Sequence, residues 1–120
     1  FLDALRDRRL ILGVYSDYPA VKKLSALGLD GYFDSVFCST DSQVNRFKPH
    51  RKGFDHFCNA HELKASDVLY VGDRFVVDAL GAQLAGMPSA IVSPGKANSP
   101  SDSVISVEGY TELKDLLCGG

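Results

Sequence analysis

Four side chains in this sequence are of types that handle a phosphorylated ligand, and each follows or flanks an apolar stretch. Asp73 closes the run Val68-Leu-Tyr-Val-Gly, and Asp78 follows five residues later, at the start of a segment rich in small residues. Ser16 ends the stretch Leu10-Ile-Leu-Gly-Val-Tyr, and Lys48 stands before Pro49. Two carboxylates converging on one pocket repel each other unless a cation or a proton lies between them. Asp73 and Asp78 therefore outline a magnesium site. A hydroxyl can hydrogen-bond a phosphoryl oxygen, an ammonium can neutralise its charge, and a hard cation held by carboxylates can bridge to it. Such a set would stabilise an in-line phosphoryl transfer largely by electrostatics.

Each member also has a plainer structural use. Ser16 or Asp17 would cap the helix that follows. Asp73 and Asp78 would serve as a helix cap and a first-turn residue, which the helix dipole favours. Lys48 would be a solvated lysine, as its neighbours Arg46 and Lys52 are expected to be. It is the order of all four, and their common place at strand ends, that favours the phosphoryl site.

The elements that must hold them alternate. Residues 2–9 place Leu2 and Leu5 on one face of a short amphipathic helix. Residues 10–15 form a buried strand candidate, and Pro19 suits the first position of a helix running through Val21, Leu24 and Leu27 to Gly28. A short strand at 36–38 precedes a polar loop over 39–47, and then a helix over about 50–61 with Phe54, Phe57 and Cys58 inward. The strand 68–71 leads to a helix over about 76–85, whose Ala79, Gly81, Ala82 and Ala85 would let it sit close on a sheet. A strand at 90–92, a Ser-, Pro- and Gly-rich loop at 95–103, a short strand at 104–107 and a helix at 110–117 complete the pattern. In that last helix Leu113, Leu116 and Leu117 are expected inward. Alternation of this kind predicts an α/β fold with a doubly wound parallel sheet. In such sheets ligands bind at the carboxyl ends of the strands, where these polar residues stand.

The bulk properties narrow the function classes. At 120 residues the chain is expected to form a single domain over 1–120, without a cap domain. A net charge of −2, with no basic stripe, argues against nucleic acid or a membrane surface as partner. No apolar run approaches a membrane span. Cys38, Cys58 and Cys118 are odd in number and far apart, so they read as reduced thiols of a cytoplasmic protein. His50, His56 and His61 lack metal-ligand spacing and are placed on or near one helix surface.

Gly13-Val-Tyr-Ser16-Asp17 resembles the second motif of the haloacid dehalogenase (HAD) superfamily of aspartate-dependent phosphohydrolases, an apolar strand ending in Ser or Thr. Lys48-Pro49 followed by Gly53-Phe54 resembles the third, a Lys-Pro leading into a helix. Val71-Gly72-Asp73-Arg-Phe-Val-Val-Asp78, with Gly81-Ala82 and Ala85-Gly86-Met87 after it, resembles the fourth and is the most specific piece. The likeness runs from about residue 5 to residue 117. It implies a three-layer, Rossmann-like core and hydrolysis of a small phosphorylated substrate through an aspartyl-phosphate with Mg²⁺. Ser16 would bind the phosphoryl group, with Asp17 beside it at the substrate, and Lys48 would stabilise nucleophile and phosphate. Asp73 would bind Mg²⁺ directly. Asp78 would do so directly or through water, and would orient Lys48.

Nothing in the chain matches the family's first motif, an apolar strand ending in Asp-x-Asp that supplies the nucleophile. Asp3 and Asp7 fall within a charged helix. The chain opens on Phe1 without a methionine and reads as an excerpt whose N-terminal part lies elsewhere, so that this piece would be inactive by itself. In the family that strand is central, between the strands ending at Ser16 and Asp73, and the sheet is accordingly expected to be incomplete. Unpaired edges are costly when buried and sticky when exposed. The gap is expected to be closed by the missing segment or another chain, by exchange between copies, or by direct pairing of the two strands. A non-catalytic HAD-like binding or interaction module is the alternative, and a receiver-like signalling domain a weaker one.

Overall fold

The computed structural model describes residues 1–29, 31–92 and 104–118. The loop expected over 95–103 lies outside them. Among the described residues five strands and five α-helices follow one another as α1 (Leu2–Asp7), β1 (Gly13–Ser16), α2 (Val21–Ala26), β2 (Ser35–Cys38), α3 (Lys52–His61), β3 (Tyr70–Gly72), α4 (Leu80–Leu84), β4 (Ser89–Val92), β5 (Val104–Val107) and α5 (Tyr110–Cys118). A π-helical stretch, Phe75–Ala79, runs directly into α4. Every strand pairing is parallel. The α/β class and the parallel strands are as the alternation predicts.

The strands divide into two sheets, β1-β2 and β3-β4-β5. β1 and β3 do not pair with each other, so direct pairing of these edges is not how the gap is closed. Between them lies a cleft of about 680 Å³, lined by Val14 and Tyr15 of β1, Tyr70 and Val71 of β3, Phe54 of α3 and Leu5 of α1. Short strands with β-branched and aromatic residues on both faces cannot bury those faces within a two-stranded ribbon, and here their apolar flanks line the cleft.

The cleft explains where the expected core falls short. Leu10 and Ile11, expected in a buried strand, are 48% and 45% exposed, because β1 begins only at Gly13 and both residues line the cleft. Among the described side chains of α5 only Leu113 is buried, against Ala90 and Val107, while Leu116 and Leu117 are exposed and Leu117 lines the cleft. α2 buries none of its residues and begins at Val21, two residues after Pro19. One core cluster joins α3 to α4: Phe54, Cys58, Ala82, Ala85 and Met87, with Tyr15 and Tyr70 against them. The small residues of α4 are needed there, since a Cβ on Gly81 would run into the Phe54 ring. Among the described residues no helix is long and apolar enough to cross a membrane.

Candidate active site

Strand ends supply the site. Ser16 is the last residue of β1, level with Cys38 at the end of β2. Gly72 ends β3, so Asp73 is the first residue beyond it. The segment carrying Lys48 starts beyond β2, where Asp41 Oδ2 accepts the Cys38 N–H at 2.9 Å and Val44 is fully buried. Beyond that loop Lys48 reaches Tyr70 of β3 and Asp78.

Lys48 and Asp78 form the centre. Lys48 Nζ donates to Asp78 Oδ1 at 3.0 Å, and the two side chains are only 8% and 3% exposed. Lys48 is thus no solvated lysine, whereas Arg46 and Lys52 are exposed as expected. Lys48 also donates to Tyr70 Oη at 3.3 Å, and Tyr70 in turn donates to Asp78 Oδ1 at 3.1 Å. The ammonium lies 5.4 Å from the ring centre of Tyr15 and 5.9 Å from that of Tyr70. An ammonium has three donors. Among the described residues two are taken, which leaves one for an anion.

The second oxygen of Asp78 turns the other way. Asp78 Oδ2 accepts the backbone N–H of Asp73 at 3.2 Å and of Arg74 at 3.0 Å. Asp78 therefore does what a carboxylate in a first helical turn does, and holds Lys48 as well. Its oxygens accept four protein donors, about as many as an ionised carboxylate has lone-pair sites. Burial pushes this carboxyl up, but the Arg74 N–H, the Lys48 ammonium and the Tyr70 hydroxyl outweigh it and hold it below the usual value. A carboxyl depressed in the folded state stabilises fully above its unfolded value of about 3.9, and that contribution is lost as pH falls through the folded value. Acid unfolding below about pH 4 should accordingly be shallower in Asp78→Asn than in the wild type. Urea melts at pH 3 and pH 6 would check this; parallel losses in both proteins would contradict it.

The backbone approaches Asp78 closely at Gly72, where a Cβ would collide with the carboxyl group. Gly72→Ala should then expel Asp78 and cost on the order of 1–3 kcal/mol, as overpacking does. Chemical denaturation measures this, and an unchanged midpoint would show that the site has slack.

Asp73 itself is exposed, and among the described residues its carboxylate takes no hydrogen bond. Ser16 Oγ donates to the carbonyl of Tyr18. Asp17 Oδ1 accepts from the buried Ser39 Oγ at 3.2 Å, and its Oδ2 lies 3.4 Å from Arg74 Nη2. That ion pair ties the end of β1 to the residue after Asp73. Neither Ser16 nor Asp17 caps α2, whose N-cap is Ala20. Lys48 and Asp78 thus meet directly and Asp17 joins them through Ser39, Tyr15 and Arg74, whereas among the described residues the Ser16 hydroxyl bonds only to the Tyr18 carbonyl.

Tyr15, Ser39, Tyr70 and Arg74 are the site residues that strand-end inspection passed over. Tyr15 and Tyr70 carried a signal, since a tyrosine inside a buried run needs a partner for its hydroxyl. Among the described residues no cysteine or histidine side chain bonds to Lys48, Asp73 or Asp78. Burial, and then Asp55, push the Cys58 thiol up, so it stays protonated within the core. His61 lies 3.2 Å from Ser35 Oγ and His56 against the Phe37 ring.

Among the described residues no three or more Asp, Glu, His or Cys gather as a ready-made metal cage. One exposed carboxylate at a strand end, backed by a second, suits a hard ion such as Mg²⁺ that keeps several waters and binds substrate phosphate.

Known proteins resemble this chain in sequence and in fold. The sequence profile of the haloacid dehalogenase-like hydrolases matches residues 1–86. A glyceraldehyde 3-phosphate phosphatase of Methanocaldococcus jannaschii is 32% identical over 116 residues, 94% of this chain and 50% of that protein. A plasmid-borne phosphoglycolate phosphatase of Cupriavidus necator is 29% identical over 119 residues, 97% of this chain and 50% of that protein. The crystal structure of a HAD phosphatase from Thermococcus onnurineus superposes with a TM-score of 0.85 at 29% identity, covering 98% of this chain and 55% of the other. The chain thus spans about half the length of the curated relatives it matches.

Proposed function

Because the chain belongs to the haloacid dehalogenase-like hydrolase family, we propose that it supplies the phosphate- and metal-handling half of a Mg²⁺-dependent phosphomonoesterase. The observation that carries this is the buried Lys48–Asp78 pair beside the exposed carboxylate of Asp73 at the end of β3. Lys48, anchored on one side, presents its remaining N–H to a phosphoryl oxygen and offsets the charge that grows there in transfer. Ser16 binds the same group by turning its hydroxyl from the Tyr18 carbonyl, and Asp17 with Arg74 borders the substrate. Asp73 would hold Mg²⁺, with Asp78 acting on it through water, since its oxygens are already engaged. The metal, when bound, would neutralise phosphoryl charge.

The nucleophile is an aspartate on a further strand, which would also close the sheet. Both open edges and the apolar cleft between β1 and β3 support that placement, whether the strand comes from another segment of the protein or from another chain. The substrate is a small phosphorylated molecule. The two named relatives act on different ones at similar identity, so neither substrate is assigned here. A cytoplasmic location follows from reading the cysteines as reduced thiols.

The test is hydrolysis of p-nitrophenyl phosphate with Mg²⁺, by the 120-residue chain and by the protein completed with an aspartate-bearing strand. Turnover is expected only in the second. Full turnover by the chain would remove the need for an outside nucleophile. No turnover in either would favour a non-catalytic HAD-like binding module.

A further inference from the structure

Tyr70 carries a hydroxyl that packing does not require. It lies on β3, three residues before Asp73, with its ring edge-on to Phe54 at 4.8 Å between centres. A phenylalanine would fill that place equally well. The hydroxyl nevertheless reaches the most constrained point of the site, accepting from Lys48 Nζ at 3.3 Å and donating to Asp78 Oδ1 at 3.1 Å. Lysine is a compact charge on a flexible four-carbon stem and makes no rigid fork as arginine does. A single contact to Asp78 would leave the ammonium free to swing about that oxygen. The second contact removes this freedom, because Lys48, Tyr70 and Asp78 close a three-membered ring of hydrogen bonds. Tyr15 bounds the ammonium from its ring face, 5.4 Å away. Together these contacts fix where the remaining N–H points.

We propose that Tyr70 is a positioning residue, whose hydroxyl fixes the Lys48 ammonium so that its free N–H faces the phosphoryl group. This rests on the phosphatase reading above. Positioning of a charge matters most when charge develops, so the effect belongs in turnover more than in ground-state binding.

The variant is Tyr70→Phe, which keeps the ring and its contact with Phe54. Tyr32→Phe serves as control; it removes a hydroxyl bonded to Asp3. In the protein carrying this chain and its nucleophile strand, kcat for p-nitrophenyl phosphate should fall about tenfold in Tyr70→Phe, with KM changed less than about twofold. Tyr32→Phe should match wild type in both. A ¹H–¹⁵N signal from the Lys48 ammonium, protected from exchange by its hydrogen bonds, should be visible in wild type and lost in Tyr70→Phe. A kcat unchanged in Tyr70→Phe would overturn the proposal, as would a Lys48 signal that survives there. Should the wild type show no turnover, the phosphatase reading fails instead, and the Lys48 signal by itself decides whether Tyr70 anchors the lysine.

Discussion

Replacing Lys48 by methionine should reduce kcat by about 10²–10³ and lower folding stability by roughly 3 kcal/mol. The two losses have different causes. The rate depends on a positive charge aimed at the phosphoryl oxygens, and a thioether of similar length supplies none. Stability suffers because Asp78 would remain 3% exposed with its cationic partner gone. Breaking a buried pair from one side typically costs 3–5 kcal/mol. The lower end applies, since Tyr70 and two backbone N–H groups still donate to Asp78. The double variant Lys48→Met/Asp78→Asn separates the two effects: most of the stability should return, and none of the activity. Urea denaturation of all four proteins measures the coupling. Equal destabilisation in the single and double variants would mean that the pair does not act as a unit.

Asp73→Asn should likewise cost about 10²-fold or more in Mg²⁺-dependent turnover, while leaving stability within about 0.5 kcal/mol of wild type. Asp73 is exposed, so its replacement uncovers no buried charge. If it supplies the direct carboxylate ligand, asparagine weakens the hold on the metal without disturbing Lys48. Asp78→Asn should show the opposite balance, with the larger stability loss and the smaller change in metal affinity. Mn²⁺ titrations followed by water proton relaxation compare the two variants directly. An equal loss of metal affinity in both would make Asp78 a direct ligand and require it to shed protein donors on binding.

Residues 13–16 and 70–72 lie within apolar runs that the sequence shows plainly, and the polar residues that end those runs stand at strand ends in the structure. The helix beyond Asp73 was legible too, from its small residues, although its first turn is π-helical. The pairing of Lys48 with Asp78 was harder to read, because thirty positions separate them and neither carries a local mark of burial. Leu10, Ile11 and Leu117 differ from expectation for a related reason. Their spacing is that of buried residues, but burial requires a neighbour, and here the neighbouring edge is a cleft.

Patterning along the chain carries the short-range regularities. Those are the alternation of strand and helix, the parallel class, the polar residues at strand ends and the family to which the motifs belong. The folded topology sets which of those polar groups meet. It left β1 and β3 apart, turned both Asp78 oxygens to protein donors, left Asp73 exposed, and placed the Lys48 ammonium between two tyrosines. The physical reason is range. Periodicity is set within a few residues of chain, whereas a buried charge settles on partners that only the folded topology brings within hydrogen-bond distance.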